Sequence, residues 1–214
     1  SVKLIYFHGF ASSGASGTVD LLRRLLPSAE VIAPDISMDP AEALPELKVL
    51  VENEQPDLII GTSMGGMYAA QMHGHLRICV NPAFHMSALS RVLKTGTHRY
   101  LNGRKDRVRE FQITRDTLRH YADMERSQFD GITDQDRELC HGLFGTKDDT
   151  VNPANARGIF LKHYAHAAQF DGGHQLNEQV LRRTVLPLVA RLLPEAYAEA
   201  VKPPVPDYMK GIKY

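Results

Sequence analysis

Gly61-Thr62-Ser63-Met64-Gly65 is the stretch on which the reading of this chain turns. It fits the pattern G-x-S-x-G. Ahead of it, Asp57-Leu58-Ile59-Ile60 reads as a short buried strand, and behind it Gly66-Met67-Tyr68-Ala69-Ala70-Gln71-Met72 reads as a helix. A serine on so tight a strand-to-helix turn is pushed outward, and its neighbours must be small because backbone and helix crowd there. Gly66 adds one more small residue at that turn. Ser63 is therefore a candidate nucleophile. A glycine-rich turn with an idle serine would carry the same five letters, so the rest of the chain has to supply what a nucleophile needs.

Outward from the turn, short apolar runs alternate with helix-like segments. Strands are predicted at residues 3–7, 30–33, 57–60, 77–80, 139–144 and 167–170. Several are apolar on consecutive positions, as suits parallel strands covered on both faces. Between them lie amphipathic stripes: Val19, Leu22, Leu25 and Leu26, then Leu44, Leu47, Leu50 and Val51, and finally Leu176 through Leu192 with Pro187 as a possible kink. Asp39-Pro40-Ala41-Glu42 has the N-cap, first-turn proline and following glutamate of a helix start. The alternation predicts a doubly wound α/β sheet of about six mostly parallel strands in one domain spanning residues 1–214. Residues 85–137 break the rhythm. They are predicted to form a helical, lid-like insertion over the carboxyl edge of the strands, where open α/β sheets bind ligands. Residues 203–214 are proline-rich and read as an extended tail.

Bulk composition narrows the function classes. With 214 residues, 25 Lys+Arg and 25 Asp+Glu, the formal net charge is zero, which argues against nucleic-acid binding through a basic surface. No apolar run is long enough for a membrane span. The first residues read as a strand rather than a secretion signal, and Cys79 and Cys140 both fall in expected strands, so a reducing, cytoplasmic setting is expected. The ten histidines form no H-E-x-x-H or similar cluster, so neither a metal nor another cofactor is expected.

A serine hydroxyl needs a base, and histidine is the usual one near neutral pH. His174 follows the last strand in Phe170-Asp171-Gly172-Gly173-His174, where two glycines permit a sharp exit. An orienting carboxylate is offered by Gly145-Thr146-Lys147-Asp148-Asp149, again past a strand end. Asp148 is favoured by its spacing to Val151, and Asp149 competes with it. The chain order Ser63, Asp148, His174 is the nucleophile–acid–base order of α/β hydrolases. For the oxyanion, the backbone N–H of Met64 is one expected donor and that of Phe10, in the loop after the first strand, is the other. Gly9 would allow the close approach and His8 would brace the loop. Phe84, His85 and Met86 leave a strand at the same edge and could shape a substrate pocket. Arg99, Arg104, Lys105, Arg107 and Arg109 form a basic run, read as a solvated face or as an attraction for an anionic substrate.

These motifs resemble the α/β hydrolases, and among them the small bacterial esterases of the YqiA-like family. The resemblance is carried by Tyr6-Phe7-His8-Gly9-Phe10-Ala11-Ser12-Ser13, the elbow Gly61 to Gly66 with Tyr68-Ala69, Val80-Asn81-Pro82-Ala83, and Gly172-Gly173-His174. It implies a minimal α/β-hydrolase sheet and hydrolysis of carboxylic esters or acyl thioesters. Ser63, Asp148 and His174 would be the triad, and Phe10 and Met64 the oxyanion donors. The loop Lys147-Asp148-Asp149 departs from the family's pattern in length, and residues 85–137 match it only loosely. The expected partner is a small-molecule ester or thioester, and the expected assembly a monomer or small homo-oligomer. A serine peptidase or C–C bond hydrolase on the same triad, or a catalytically silent ligand-binding relative, are the competing readings. A dinucleotide oxidoreductase would want G-x-G-x-x-G after the first strand, and Gly9 and Gly14 are wrongly spaced for it.

Overall fold

The computed structural model describes residues 1–89 and 93–212, so residues 90–92 of the expected insertion and 213–214 of the expected tail lie outside the described residues. The six predicted strands are present as β1 (Val2–Phe7), β2 (Ala29–Ile32), β3 (Leu58–Thr62), β4 (Arg77–Val80), β7 (Cys140–Gly145) and β8 (His166–Phe170). They form one sheet in the order β2-β1-β3-β4-β7-β8, every neighbouring pair parallel. The central strands read as unbroken apolar runs because both faces are covered. Ile5, Phe7, Ile59 and Cys79 point to one face, and Leu4, Tyr6, Ile60 and Ile78 to the other.

Helices close the two faces. α1 (Gly17–Leu25) buries Val19 and Leu22 against Leu4, Tyr6 and Ile60. α2 (Pro40–Glu54) begins as its sequence predicts, with Asp39 accepting a hydrogen bond from the Ala41 N–H at 3.0 Å and proline in the first turn. α3 (Met64–Ala70) is buried along its whole length behind the elbow. α6 (Pro153–His163) joins β7 to β8. The last predicted helix is a continuous helical run of α7 (Glu178–Val180), a π turn (Leu181–Val185) and α8 (Leu186–Leu192), followed by α9 (Pro194–Ala200). Pro187 has no N–H to give the carbonyl four residues back, and the widened turn falls where that bond would be.

The insertion departs from the expectation of an all-helical segment. Between β4 and β7 the chain forms a short 3₁₀ turn (Met86–Ala88), an antiparallel hairpin of β5 (Gly96–Arg99) and β6 (Glu110–Ile113), then α4 (Arg115–Ser127) and α5 (Asp134–Leu139). The hairpin escaped the sequence reading because its strands, Gly-Thr-His-Arg and Glu-Phe-Gln-Ile, are mostly polar and exposed. Its structure comes instead from ring contacts: Phe111 packs against His98, Tyr100 and Phe10, with centroids 5.3, 4.6 and 5.6 Å away. In the tail, Asp207–Met209 forms a single exposed 3₁₀ turn. No helix among the described residues is long and apolar enough to cross a membrane. Cys79 and Cys140 are buried free thiols, their sulfurs 3.7 Å apart.

Candidate active site

The order of the sheet reverses around β1 and β3, since the chain moves from β1 outward to β2 and then returns to the other side of β1. Such a switch point leaves a crevice at the carboxyl ends of the strands. Ser63 stands at the end of β3 in that crevice with φ 59° and ψ −117°, a strained backbone for a residue with a side chain. The flanking glycines explain how the strain is held. A Cβ on Gly61 would lie 2.1 Å from the Gly65 carbonyl oxygen, and one on Gly65 would lie 2.0 Å from that of Phe7. Either would force the helix off the strand.

Three strand ends converge here. The Ser63 Oγ and His174 Nε2 are 2.9 Å apart, and His174 Nδ1 lies 2.8 Å from Asp148 Oδ2. A carboxylate can only accept, so Nδ1 carries the proton and Nε2 presents its lone pair to the serine hydroxyl. The other carboxylate oxygen of Asp148 accepts from the N–H groups of Thr150 and Val151, both at 2.9 Å. Burial pushes the Asp148 carboxyl up, but the His174 hydrogen bond and these two N–H groups outweigh it and hold the group below its ordinary value. Asp149 is exposed and accepts a hydrogen bond from Thr150 Oγ1 at 3.4 Å. Of the two competing carboxylates, Asp148 is the one against the histidine.

Asn81 was quoted in the sequence only as part of a motif, yet it ties the site together. It is buried just past β4 with φ 46°, a left-handed conformation that asparagine tolerates better than most residues. Its side-chain amide donates to the carbonyls of Gly173 (3.0 Å) and His174 (3.1 Å), and its oxygen accepts from the Gly145 N–H at 2.8 Å. Asn81 thereby fixes the loop that carries the histidine against the strand end that precedes the carboxylate.

The loop after β1 is held just as closely. His8 is buried. Its Nε2 accepts from the Ile36 N–H at 2.9 Å, and its Nδ1–H donates to the Gly9 carbonyl at 2.7 Å. Burial, chiefly, brings the ring down to about 4, so it is neutral at pH 7. The Ser12 N–H also reaches the Gly9 carbonyl, at 3.2 Å. In a trans peptide the carbonyl and the next N–H point opposite ways, so fixing the Gly9 oxygen fixes the direction of the Phe10 N–H. A Cβ on Gly9 would meet Ser63 Cβ at 3.7 Å, an ordinary contact, so close approach alone does not demand glycine there.

The hairpin supplies the outer side of this loop. Leu101 N–H donates to the Ala11 carbonyl at 2.7 Å, and Asn102 donates to Ser12 Oγ at 2.9 Å. Arg104 donates to the carbonyls of Ser12 (2.9 Å) and Ile36 (2.8 Å), with its guanidinium 3.9 Å from the centre of the Tyr100 ring. Arg104 is thus pinned within the fold, whereas Arg99, Lys105, Arg107 and Arg109 of the same basic run are exposed.

A cavity of about 410 Å³ opens onto Ser63 and His174. On the insertion side its wall is made by Met86, Leu89, Leu101 and Asn102, with Phe10 beside them, and is mostly apolar. Among the three expected pocket residues, only Met86 lines it. Phe84 turns into the core against Phe129 and Phe160, with centroids 5.2 and 6.4 Å away, and His85 is exposed ahead of the 3₁₀ turn. An apolar ring four residues past a strand end is drawn to the nearest core rather than to an open cleft.

Comparison with known proteins agrees with this architecture. A profile of the uncharacterised protein family UPF0227 matches residues 3–184. Among solved structures, Est1E from Butyrivibrio proteoclasticus is similar at 14% identity over 92% of this chain and 88% of its own, with a TM-score of 0.62. The esterase domain of a Rhodothermus marinus protein is similar at 18% identity over 89% and 87%, TM-score 0.61. A monoacylglycerol lipase from Paleococcus ferrophilus is similar at 14% identity over 92% and 94%, TM-score 0.59. At these identities the likeness is one of fold, and the fold is that of the α/β hydrolases.

Proposed function

We propose that this chain, which belongs to the UPF0227 family, is a serine hydrolase that cleaves small carboxylic esters or thioesters through an acyl-enzyme. The observation that carries the reading is the unbroken hydrogen-bonded line Ser63–His174–Asp148 at the mouth of a cavity. Structural neighbours that are described as esterases and a lipase support the ester class.

The chemistry follows from the atoms present. His174 Nε2 takes the proton of Ser63 as Oγ attacks the carbonyl carbon, and Asp148 stabilises the imidazolium and holds its tautomer. The carbonyl oxygen gains the electron pair and rests on the N–H groups of Met64 and Phe10. Met64 opens α3, so the positive end of that helix faces the developing charge. His174 returns its proton to the leaving oxygen or sulfur as that bond breaks. Water, deprotonated by the same nitrogen, then releases the acid and restores Ser63. A cavity of about 410 Å³ with one apolar side suits short acyl groups better than long chains. The hairpin and 3₁₀ turn of residues 85–137 act as the roof of this site, within a single catalytic domain that works in the cytoplasm.

A fluorophosphonate reagent tests the reading. Ser63 should become labelled, and Ser63→Ala should lose both labelling and nearly all turnover of 4-nitrophenyl butanoate, a fall on the order of 10⁶-fold. Substantial ester hydrolysis by Ser63→Ala would sink the proposal. A panel of esters, thioesters, amides and diketones assigns the bond type.

A further inference from the structure

A second hollow adjoins the catalytic cavity on the insertion side. It measures about 490 Å³ and lies in the loop of the hairpin, where Arg99, Arg104, Arg107 and Arg109 surround it with Tyr100. Leu101 and Asn102 line it as well, and the same two residues line the cavity that opens onto Ser63. A ligand that crosses those two residues reaches from one space into the other. Residues 99–109 carry five cations and one carboxylate, in a chain with 25 of each sign. Charge that balances over the whole molecule is thus concentrated as positive charge beside the site. The loop is held in shape by its own bonds. Tyr100 N–H donates to the Arg109 carbonyl at 2.9 Å, and Arg107 N–H to the Arg104 carbonyl at 3.0 Å. Lys105 N–H donates to the Asp35 carboxylate at 3.0 Å, and Asp106, the one acid of the stretch, accepts from the Val108 N–H at 2.9 Å. Arg107 takes φ 63°, a left-handed backbone that glycine or asparagine would fill more easily.

The arginines divide by what they touch. Arg104 is held by the Ser12 and Ile36 carbonyls and adds its charge to the hollow from a fixed place. Arg99, Arg107 and Arg109 are exposed and line the hollow with long side chains that can turn onto a ligand. One arginine fork is enough for the two oxygens of a carboxylate. Three forks around one hollow match the three free oxygens of a phosphate monoester, which also carries more charge to neutralise. Leu101 stands between the hollow and Ser63 and is 76% exposed. A substrate arm that crosses it on the way to the arginines would cover that apolar side chain.

We propose that this hollow is a phosphate subsite, and that the substrate is an ester with a phosphate on one of its arms, gripped by Arg99, Arg107 and Arg109 while its carbonyl lies at Ser63. The proposal rests on the serine-hydrolase reading above. The test measures kcat/KM for two pairs of esters in the wild type and in the double variant Arg107→Gln, Arg109→Gln. On the acyl arm, 4-nitrophenyl 3-phosphonopropanoate is set against 4-nitrophenyl butanoate. On the leaving arm, 1-butanoylglycerol 3-phosphate is set against 1-butanoylglycerol. Comparing the charged-to-neutral ratio between the two proteins cancels the intrinsic reactivity of each ester. In one pair that ratio should fall about tenfold in the double variant, the worth of two partly exposed charge-assisted contacts, and that pair identifies the arm. Ratios unchanged in both pairs overturn the proposal, and so does an equal fall for the charged and the neutral member. Binding of the wild type to phosphatidylglycerol vesicles that the double variant loses, with both ratios unmoved, would assign the arginines to a lipid surface and overturn the subsite as well. Should the double variant fail to fold, the wild type decides. Inorganic phosphate, at matched ionic strength, must raise KM for the phosphorylated ester at concentrations that spare its neutral partner, and equal effects on both overturn the proposal. If a fluorophosphonate does not label wild-type Ser63, the hydrolase reading falls and this one with it. If Ser63 is labelled but neither ratio moves, only the subsite falls.

Discussion

At the residue scale, Asn81 holds the loop that carries His174, and His8 holds the loop after β1 that carries Phe10. Asn81 makes three hydrogen bonds from one buried amide, two of them to the loop that carries His174. Asn81→Ala leaves those carbonyls unpaired and lets the imidazole drift from Ser63. We expect kcat for 4-nitrophenyl butanoate to fall about 10- to 100-fold with KM little changed, since small misplacements of reacting groups have costs of that order. A KM effect alone would point to the cavity wall instead. His8 gives a pH prediction. In the unfolded chain its imidazole titrates near 6.5, while in the fold burial keeps it uncharged down to about 4. Below 6.5 the unfolded state therefore binds a proton that the folded state refuses. Stability is complete above that pH and declines as the pH falls toward 4. The melting temperature of the wild type should drop over this window, and His8→Asn should show a shallower slope. His141, which burial and the neighbouring His166 also bring to about 4, contributes to the slope that remains, as do His75 and His163, which burial also lowers.

At the scale of elements, the hairpin β5–β6 is a brace. Its loop reaches the loop after β1 through Leu101, Asn102 and Arg104, and Arg104 spans two segments by holding the Ser12 and Ile36 carbonyls together. Ile36 in turn donates to His8, so the guanidinium and the imidazole belong to one network that ends on the Gly9 peptide. Arg104→Met keeps an unbranched side chain but deletes both hydrogen bonds and the guanidinium's contact with the Tyr100 ring. We expect about a tenfold loss of kcat, smaller than the 10²–10³ lost with an oxyanion donor itself. Weaker inhibition by a trifluoromethyl ketone, which mimics the tetrahedral intermediate, should accompany it. An equal loss of affinity for a plain product acid would mean that Arg104 only shapes the pocket. Elsewhere the insertion is fastened by Ser87 N–H to Glu125 at 2.8 Å and by His120 to Asp39 at 2.8 Å, which ties α4 to the start of α2.

At the scale of the whole molecule, the foot of the sheet has its own anchor, at the opposite end of β4 from the site. Arg77 is fully buried and forks onto Asp136 at 2.7 and 3.1 Å, while Asp136 also accepts from Gly74 N–H and meets His73 Nδ1 at 2.6 Å. Burial opposes the ionised carboxylate, and these hydrogen bonds together with the Arg77 charge overcome it, so Asp136 stays ionised well below its ordinary range. Removing Arg77 leaves the buried Asp136 charge without its guanidinium, with only His73 and the Gly74 N–H beside it, at a cost of about 3 kcal/mol. For a domain of this size that lowers the melting temperature by about 10 °C. Arg77→Met should therefore melt markedly lower, yet retain near-normal turnover at 25 °C, because Ser63 sits at the far edge of the sheet. Loss of activity without loss of stability would contradict that separation.

What the sequence determined by itself is the part governed by local chemistry. Short strand-like runs, several of them apolar on consecutive positions, gave away the six parallel strands, most clearly at the centre of the sheet where both faces are covered. The crowding of Gly61, Ser63 and Gly65 marked the elbow, and glycine-flanked strand ends placed Asp148 and His174 on the same edge as Ser63. Only the tertiary structure decided the rest. It put Asp148 rather than Asp149 against His174, because that choice depends on which way a loop turns after β7. It revealed the hairpin, whose polar strands carry no pattern and whose Phe111 meets His98 and Tyr100 across the hairpin and Phe10 from a hundred residues away. It sent Phe84 into the core and gave Asn81 and Arg104 their partners, which lie 64 to 93 residues away along the chain. A periodicity reports which face a residue takes on its own element. It says nothing of what another element brings to meet it, and the cavity at Ser63 is made of such meetings.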